Sequence, residues 1–126
     1  MPSLIQGRIV YARIPINDPQ GRNPKSNRPF VVITNHDKIK ARKTIRCVAI
    51  TDELANTPID HYVMLPDGPG RFKHGCSSGS GALCTWIEYI DKDDIDVGNG
   101  ALVGKELYQI VEKANLLEPA TQQDPG

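Results

Sequence analysis

The sequence predicts a mainly β chain of α+β type: a compact, barrel-like sheet of short strands with one helix packed on it near the C-terminus. Three observations lead there. Five runs of strand length, rich in β-branched and aromatic residues, follow one another along the 126 residues. Ten Pro and eleven Gly punctuate them, more than a helical bundle tolerates. A single late stretch carries helical periodicity.

The first strand is Ile9-Val10-Tyr11-Ala12-Arg13-Ile14, stopped by Pro15. Residues 15–28 form a long, polar, basic loop with Pro15, Pro19, Pro24 and Gly21, and loops of that length in small domains usually serve function. Phe30-Val31-Val32-Ile33-Thr34 is a continuous apolar run, the mark of a strand buried on both faces. Asn35 to Lys43 is a basic connection or short helix. Thr44 to Thr51 is the third strand, and its parity puts Ile45, Cys47, Ala49 and Thr51 on one face and Arg46, Val48 and Ile50 on the other. His61 to Leu65 is a shorter strand, and Pro66 to Gly81 a second long loop. Ala82 to Ile90 is the fifth strand, with a bend allowed. Asp91 to Gly104 is acidic, then Gly-rich. Lys105 to Leu117 is the helix, with Leu107, Ile110, Val111, Ala114 and Leu117 in one stripe. Residues 1–118 make one domain, and 119–126 a polar tail expected to be disordered.

Leu, Ile, Val and Phe number 31, enough for a core. No apolar run approaches the roughly 18 residues of a membrane span, and the N-terminus lacks the basic-then-apolar pattern of a signal peptide, so a cytoplasmic protein without membrane partner is expected. Net charge is zero but divided. Residues 1–46 carry ten Lys/Arg against two Asp/Glu, and 47–126 carry five against thirteen. Zero net charge argues against indiscriminate polyanion binding, while the basic first third leaves room for a local phosphate site; alternatively the two halves neutralise each other across the fold. The three cysteines, Cys47, Cys76 and Cys84, form no CxxC, and the three histidines show no ligand spacing, so neither metal nor cofactor is called for. Two Gly-rich segments, 75–81 and 98–104, lack the spacing or the Lys-Ser/Thr of phosphate loops and are read as turns.

One constellation carries chemistry. The loop from Gly21 to Asn27 leads into Arg28-Pro29 and a buried strand, and the next strand ends in Ala49-Ile50-Thr51. Arg28 is held at a loop–strand junction, where a guanidinium can fork onto a phosphate. Thr51, at a strand end, can turn its hydroxyl to a ligand. On physics alone the plainer reading is favoured: a strand-end charge and an ordinary strand threonine.

The order of these segments resembles the PemK/MazF toxins of bacterial toxin–antitoxin pairs. Gly7-Arg8-Ile9-Val10-Tyr11 is similar to the family's opening strand, and Gly21 precedes Arg28 by the spacing of its G-x-E-x(4)-R-P-V/A-V-V-I motif. Cys47 to Thr51 is similar to the third strand, Ala82 to Ile95 to a later strand with its turn into a small helix, and Leu107 to Leu117 to the closing helix. The likeness spans most of residues 5–117.

The resemblance implies a small SH3-like β barrel with short helices and a C-terminal helix, assembled as a homodimer. It implies a metal-independent endoribonuclease that cuts single-stranded RNA through attack of the 2′-hydroxyl, with Arg28 and Thr51 as the catalytic residues. It also implies a cognate antitoxin whose disordered acidic segment blocks the RNA site. The family's loop Glu is replaced by Asn23. Arg22, Asn23 and Lys25, beside Arg28, and Arg71-Phe72-Lys73, an aromatic between cations, are the candidate RNA-binding residues. His61 and His36 are further candidates for moving protons. The alternative is a non-catalytic SH3-like binding module, or a toxin that poisons gyrase without cutting RNA.

Overall fold

The computed structural model describes residues 3–17, 27–66 and 79–118. Its strands are β1 (Arg8–Ala12), β2 (Arg28–Val32), β3 (Thr44–Thr51), β4 (Tyr62–Met64), β5 (Gly81–Asp91) and β6 (Ile95–Ala101), followed by helix α1 (Gly104–Leu117). Short 3-10 turns occupy His36–Lys38, Ile59–His61 and Lys92–Asp94. All described pairings are antiparallel, and the strands form one sheet in the order β4-β5-β3-β2-β1-β6. The sheet coils but does not close, so β4 and β6 are its two ends. Among the described residues no helix is long and apolar enough to cross a membrane.

Both faces of the sheet are covered. Ile9, Val31, Val48, Ile50, Val63 and Cys84 pack under α1 through Ile110 and Ala114. Val10, Phe30, Val32, Cys47, Ala49 and Trp86 form the core of the opposite face. The unbroken apolar run of β2 therefore feeds two cores at once, as its lack of alternation predicts. The third strand has the predicted bounds and the predicted face parity. The helix stripe is also as predicted: Ile110 and Ala114 are buried, and Leu107, Val111 and Leu117 flank them.

Three elements differ from the sequence reading. β2 begins at Arg28 and ends at Val32, because Arg28 and Pro29 pair with Ala12 and Tyr11 of β1. β1 correspondingly stops at Ala12. Residues 95–101, which overlap the segment 98–104 read as a turn, form a sixth strand. Gly98, Asn99 and Gly100 carry little strand propensity, and pairing of Val97, Asp96 and Ile95 with β1 overrides it. Gly98 is there for closeness: a Cβ would stand 2.9 Å from the Ile9 carbonyl oxygen and from the Tyr11 ring.

β5 contains the bend that its sequence allowed. Its register against β3 slips between Val48, opposite Ile87, and Ala49, opposite Leu83. Such a bulge reverses side-chain parity. Before it Leu83 faces the second core and Cys84 the helix; after it Trp86 and Ile90 face the second core and Ile87 packs toward the helix.

Charge is matched across the fold, the second of the two charge readings above. Arg13 meets Asp96 at 3.5 Å, Lys43 meets Asp91 at 3.6 Å and Arg46 meets Glu118 at 2.7 Å, each pair joining the basic first third to the acidic remainder. The predicted loop segments 18–26 and 67–78, Cys76 and the tail from residue 119 lie outside the described residues.

Candidate nucleic-acid site at one end of the sheet

The register of β2 on β3 pairs Phe30 with Ala49 and Val32 with Cys47. Arg28 and Thr51 each lie two residues beyond the Phe30–Ala49 pair, at the same end of these strands and with the parity of the second core. Asn27 prepares the entry: its backbone adopts φ 63°, and its N–H donates to the Ala12 carbonyl at 2.6 Å. A left-handed Asn followed directly by a strand fixes where the Arg28 side chain departs.

Arg28 is half-buried, and its guanidinium carbon lies 5.1 Å from the centroid of the Trp86 ring. Phe30 meets Trp86 edge to face, with centroids 6.2 Å apart at 82°. The indole N–H donates to Glu88 Oε2 at 3.0 Å. Thr51, half-buried, accepts the Glu53 N–H on its hydroxyl oxygen at 3.1 Å, which fixes the side chain and leaves the hydroxyl proton to donate.

The described residues flanking segments 18–26 and 67–78 stand at this end of the sheet. Asn27, just past one, precedes Arg28 directly; Gly81, just past the other, pairs with Thr51. Arg22, Asn23, Lys25, Arg71, Phe72 and Lys73 themselves lie outside the described residues.

The histidines lie elsewhere. His36 is exposed in the turn between β2 and β3, at the opposite end of those strands from Arg28. His61 precedes β4, whose Met64 pairs with Gly81 beside Thr51, so His61 is three strand residues, or about 10 Å, from that end.

Neither described thiol is poised for chemistry. Burial, aided by the Glu88 charge, pushes the Cys47 thiol far up, and burial pushes Cys84 up to about 11 against a lowering by Lys113. No group of three or more His, Cys, Asp or Glu side chains that could hold a metal occurs among the described residues. Trp86 and Glu88 were not legible as site residues. Simple alternation from Leu83 puts Trp86 on the helix face, and only the bulge turns it toward Arg28.

An antiparallel sheet backed by a C-terminal helix is the fold this chain shares with MazF toxins of solved structure. Residues 5–117 match the family of PemK-like, MazF-like toxins of type II toxin–antitoxin systems, and the chain belongs to that family. Solved structures agree on the fold. The MazE–MazF complex from Deinococcus radiodurans is 16% identical, with a TM-score of 0.63 over 90% of this chain and 94% of that one. The Mycobacterium tuberculosis toxin MazF-mt6 is 14% identical, with a TM-score of 0.64 over 87% and 94%. An endoribonuclease in complex with its cognate antitoxin, from a mycobacterial species, is 13% identical, with a TM-score of 0.65 over 98% and 100%. No curated protein matches the chain in sequence.

Proposed function

We propose that this toxin-family protein is a cytoplasmic, metal-independent endoribonuclease that cleaves single-stranded RNA at the Arg28–Thr51 end of the sheet. The observation that supports the reading is the β2–β3 register, which leaves Arg28 and Thr51 two residues past its Phe30–Ala49 pair at the same end of the sheet.

Cleavage by this route has the 2′-oxygen attack phosphorus, its proton passing to water, while the bond to the 5′-oxygen breaks and that oxygen takes a proton from water. The products are a cyclic 2′,3′-phosphate and a free 5′-hydroxyl. Negative charge grows on the non-bridging oxygens, and a fixed guanidinium is suited to meet it. A guanidinium is a poor base, so the part of Arg28 is electrostatic. The Thr51 hydroxyl donates to a phosphate oxygen. Arg22, Asn23 and Lys25, with Arg71, Phe72 and Lys73, then hold the flanking phosphates and stack a base.

The protein works as a homodimer. An open groove of about 780 Å³ runs between α1 and the end strand β4, and Ile59, Met64, Tyr108 and Leu116 along it are exposed. A second copy covers these side chains. The remaining partner is an antitoxin with a disordered acidic segment that competes with RNA for the cations around Arg28.

Incubating purified protein with a long single-stranded RNA in EDTA, then mapping the new 5′ ends, tests the reading. Cuts at a short recurring sequence, lost in Arg28→Ala, are expected. Intact RNA would leave the alternative, a toxin that binds without cutting.

A further inference from the structure

We infer that Trp86 is a positioning residue for Arg28, its indole held in one orientation by Glu88 and Phe30 so that the guanidinium above it presents a fixed set of N–H donors to the scissile phosphate. This rests on the nuclease reading and adds to it residues that the sequence did not single out.

The geometry is specific. The guanidinium carbon stands 5.1 Å from the ring centroid, inside the distance at which a cation is attracted to an indole face. Two contacts hold the ring: its N–H donates to Glu88 at 3.0 Å, and it meets Phe30 in a T-shaped pair with centroids 6.2 Å apart. Trp86 is 2% exposed, which excludes it as a stacking platform for an RNA base. Its face is spent on Arg28. Glu88 stands on the same strand beyond the bulge, opposite Cys47, so it acts on Arg28 through the indole.

A flexible arginine could bind a phosphate in many poses, few of them matched to the transition state. Stacking removes those poses before substrate arrives. Losing the ring therefore harms kcat more than KM, since charge stabilisation at the transition state needs alignment and ground-state attraction does not.

The protein has a single tryptophan, so its fluorescence reports this site alone. The experiment compares wild type, Trp86→Leu, Trp86→Phe, Glu88→Ala, Arg28→Ala and, as a remote control at the other end of β3, Lys43→Ala. Trp86→Leu should lower kcat on single-stranded RNA on the order of 10-fold with KM little changed. Trp86→Phe, which restores a π face, should recover much of the loss. In the unliganded protein Arg28→Ala should shift Trp86 emission and raise its quenching by acrylamide, while Lys43→Ala does neither.

A folded Trp86→Leu that cuts RNA as fast as wild type overturns the inference. So does unaltered emission in Arg28→Ala. If Trp86→Leu fails to fold, Glu88→Ala decides: lowered kcat with shifted emission supports the clamp, and neither change overturns it. RNA left intact by the wild type would instead sink the nuclease reading, and the emission response would decide the Arg28–Trp86 contact by itself.

Discussion

Replacing Glu118 with Ala should be among the most damaging single changes in this protein, although the residue is polar and lies at the end of the helix. Its carboxylate is nearly enclosed, with side-chain exposure of 4% beside 11% for Arg46. Arg46 Nε donates to it at 2.9 Å, the second guanidinium nitrogen is 2.7 Å away, and the Tyr89 hydroxyl donates to it at 3.0–3.1 Å. Asn115 accepts a further bond from Arg46 at 2.8 Å. The cluster ties the last turn of α1 to β3 and β5. Removing the carboxylate strands a guanidinium in a dry site, a change that costs about 3–5 kcal/mol when one member of a buried ion pair is deleted. In a domain of this size that corresponds to a fall in Tm of roughly 10–20 °C. Arg46→Met/Glu118→Leu should recover most of the loss, because an apolar pair of similar volume can replace a buried ion pair at little cost. Thermal and urea melts followed by circular dichroism, at one fixed protein concentration, would measure both. A Glu118→Ala protein within about 1 kcal/mol of wild type would refute the reasoning, since the cluster would then be a solvated surface pair.

Arg28→Ala should slow RNA cleavage by about 10²–10³-fold without lowering Tm, and Thr51→Ala should cost less, since a neutral hydroxyl contributes less than a guanidinium. Activity retained in Arg28→Ala would mean the site is elsewhere. Sedimentation should show a dimer at micromolar concentration, and Leu116→Glu should shift it to monomer; a monomeric wild type would remove the proposed role of the α1–β4 groove. Binding of an acidic antitoxin segment should compete with RNA and weaken as salt rises, because both ligands use the same cations; tight binding that leaves cleavage unchanged would exclude that overlap. In a Cys76→Ser background neither remaining thiol should react with an alkylating reagent at pH 8 in the folded protein. Burial alone would account for Cys47, and with a thiol pushed up to about 11, Cys84 has a thiolate fraction on the order of 10⁻³ at that pH. Rapid native-state labelling would contradict the buried positions.

Much of the architecture was determined locally. The strand Thr44–Thr51, its face parity and the apolar stripe of α1 follow from spacing alone, because each needs only a period of 2 or 3.6 to separate core from solvent. The junction of Arg28 with a buried strand is likewise written in adjacent residues. What the tertiary structure decided depended on partners distant in sequence. β6 exists because β1 offers it a ladder, despite two glycines, one of which is needed for close approach to Ile9. Arg46, one of a basic run when seen in sequence, is consumed by Glu118, 72 residues later. The placement of Trp86 under Arg28 turns on a register slip in β5, where a bulge reverses the alternation that the sequence pattern assumes. A periodicity records which side of a strand is buried, but it carries no trace of where the neighbouring strand adds or skips a residue. Arg28 and Thr51 could be singled out from the chain as candidates, whereas the ring beside Arg28 required the folded sheet.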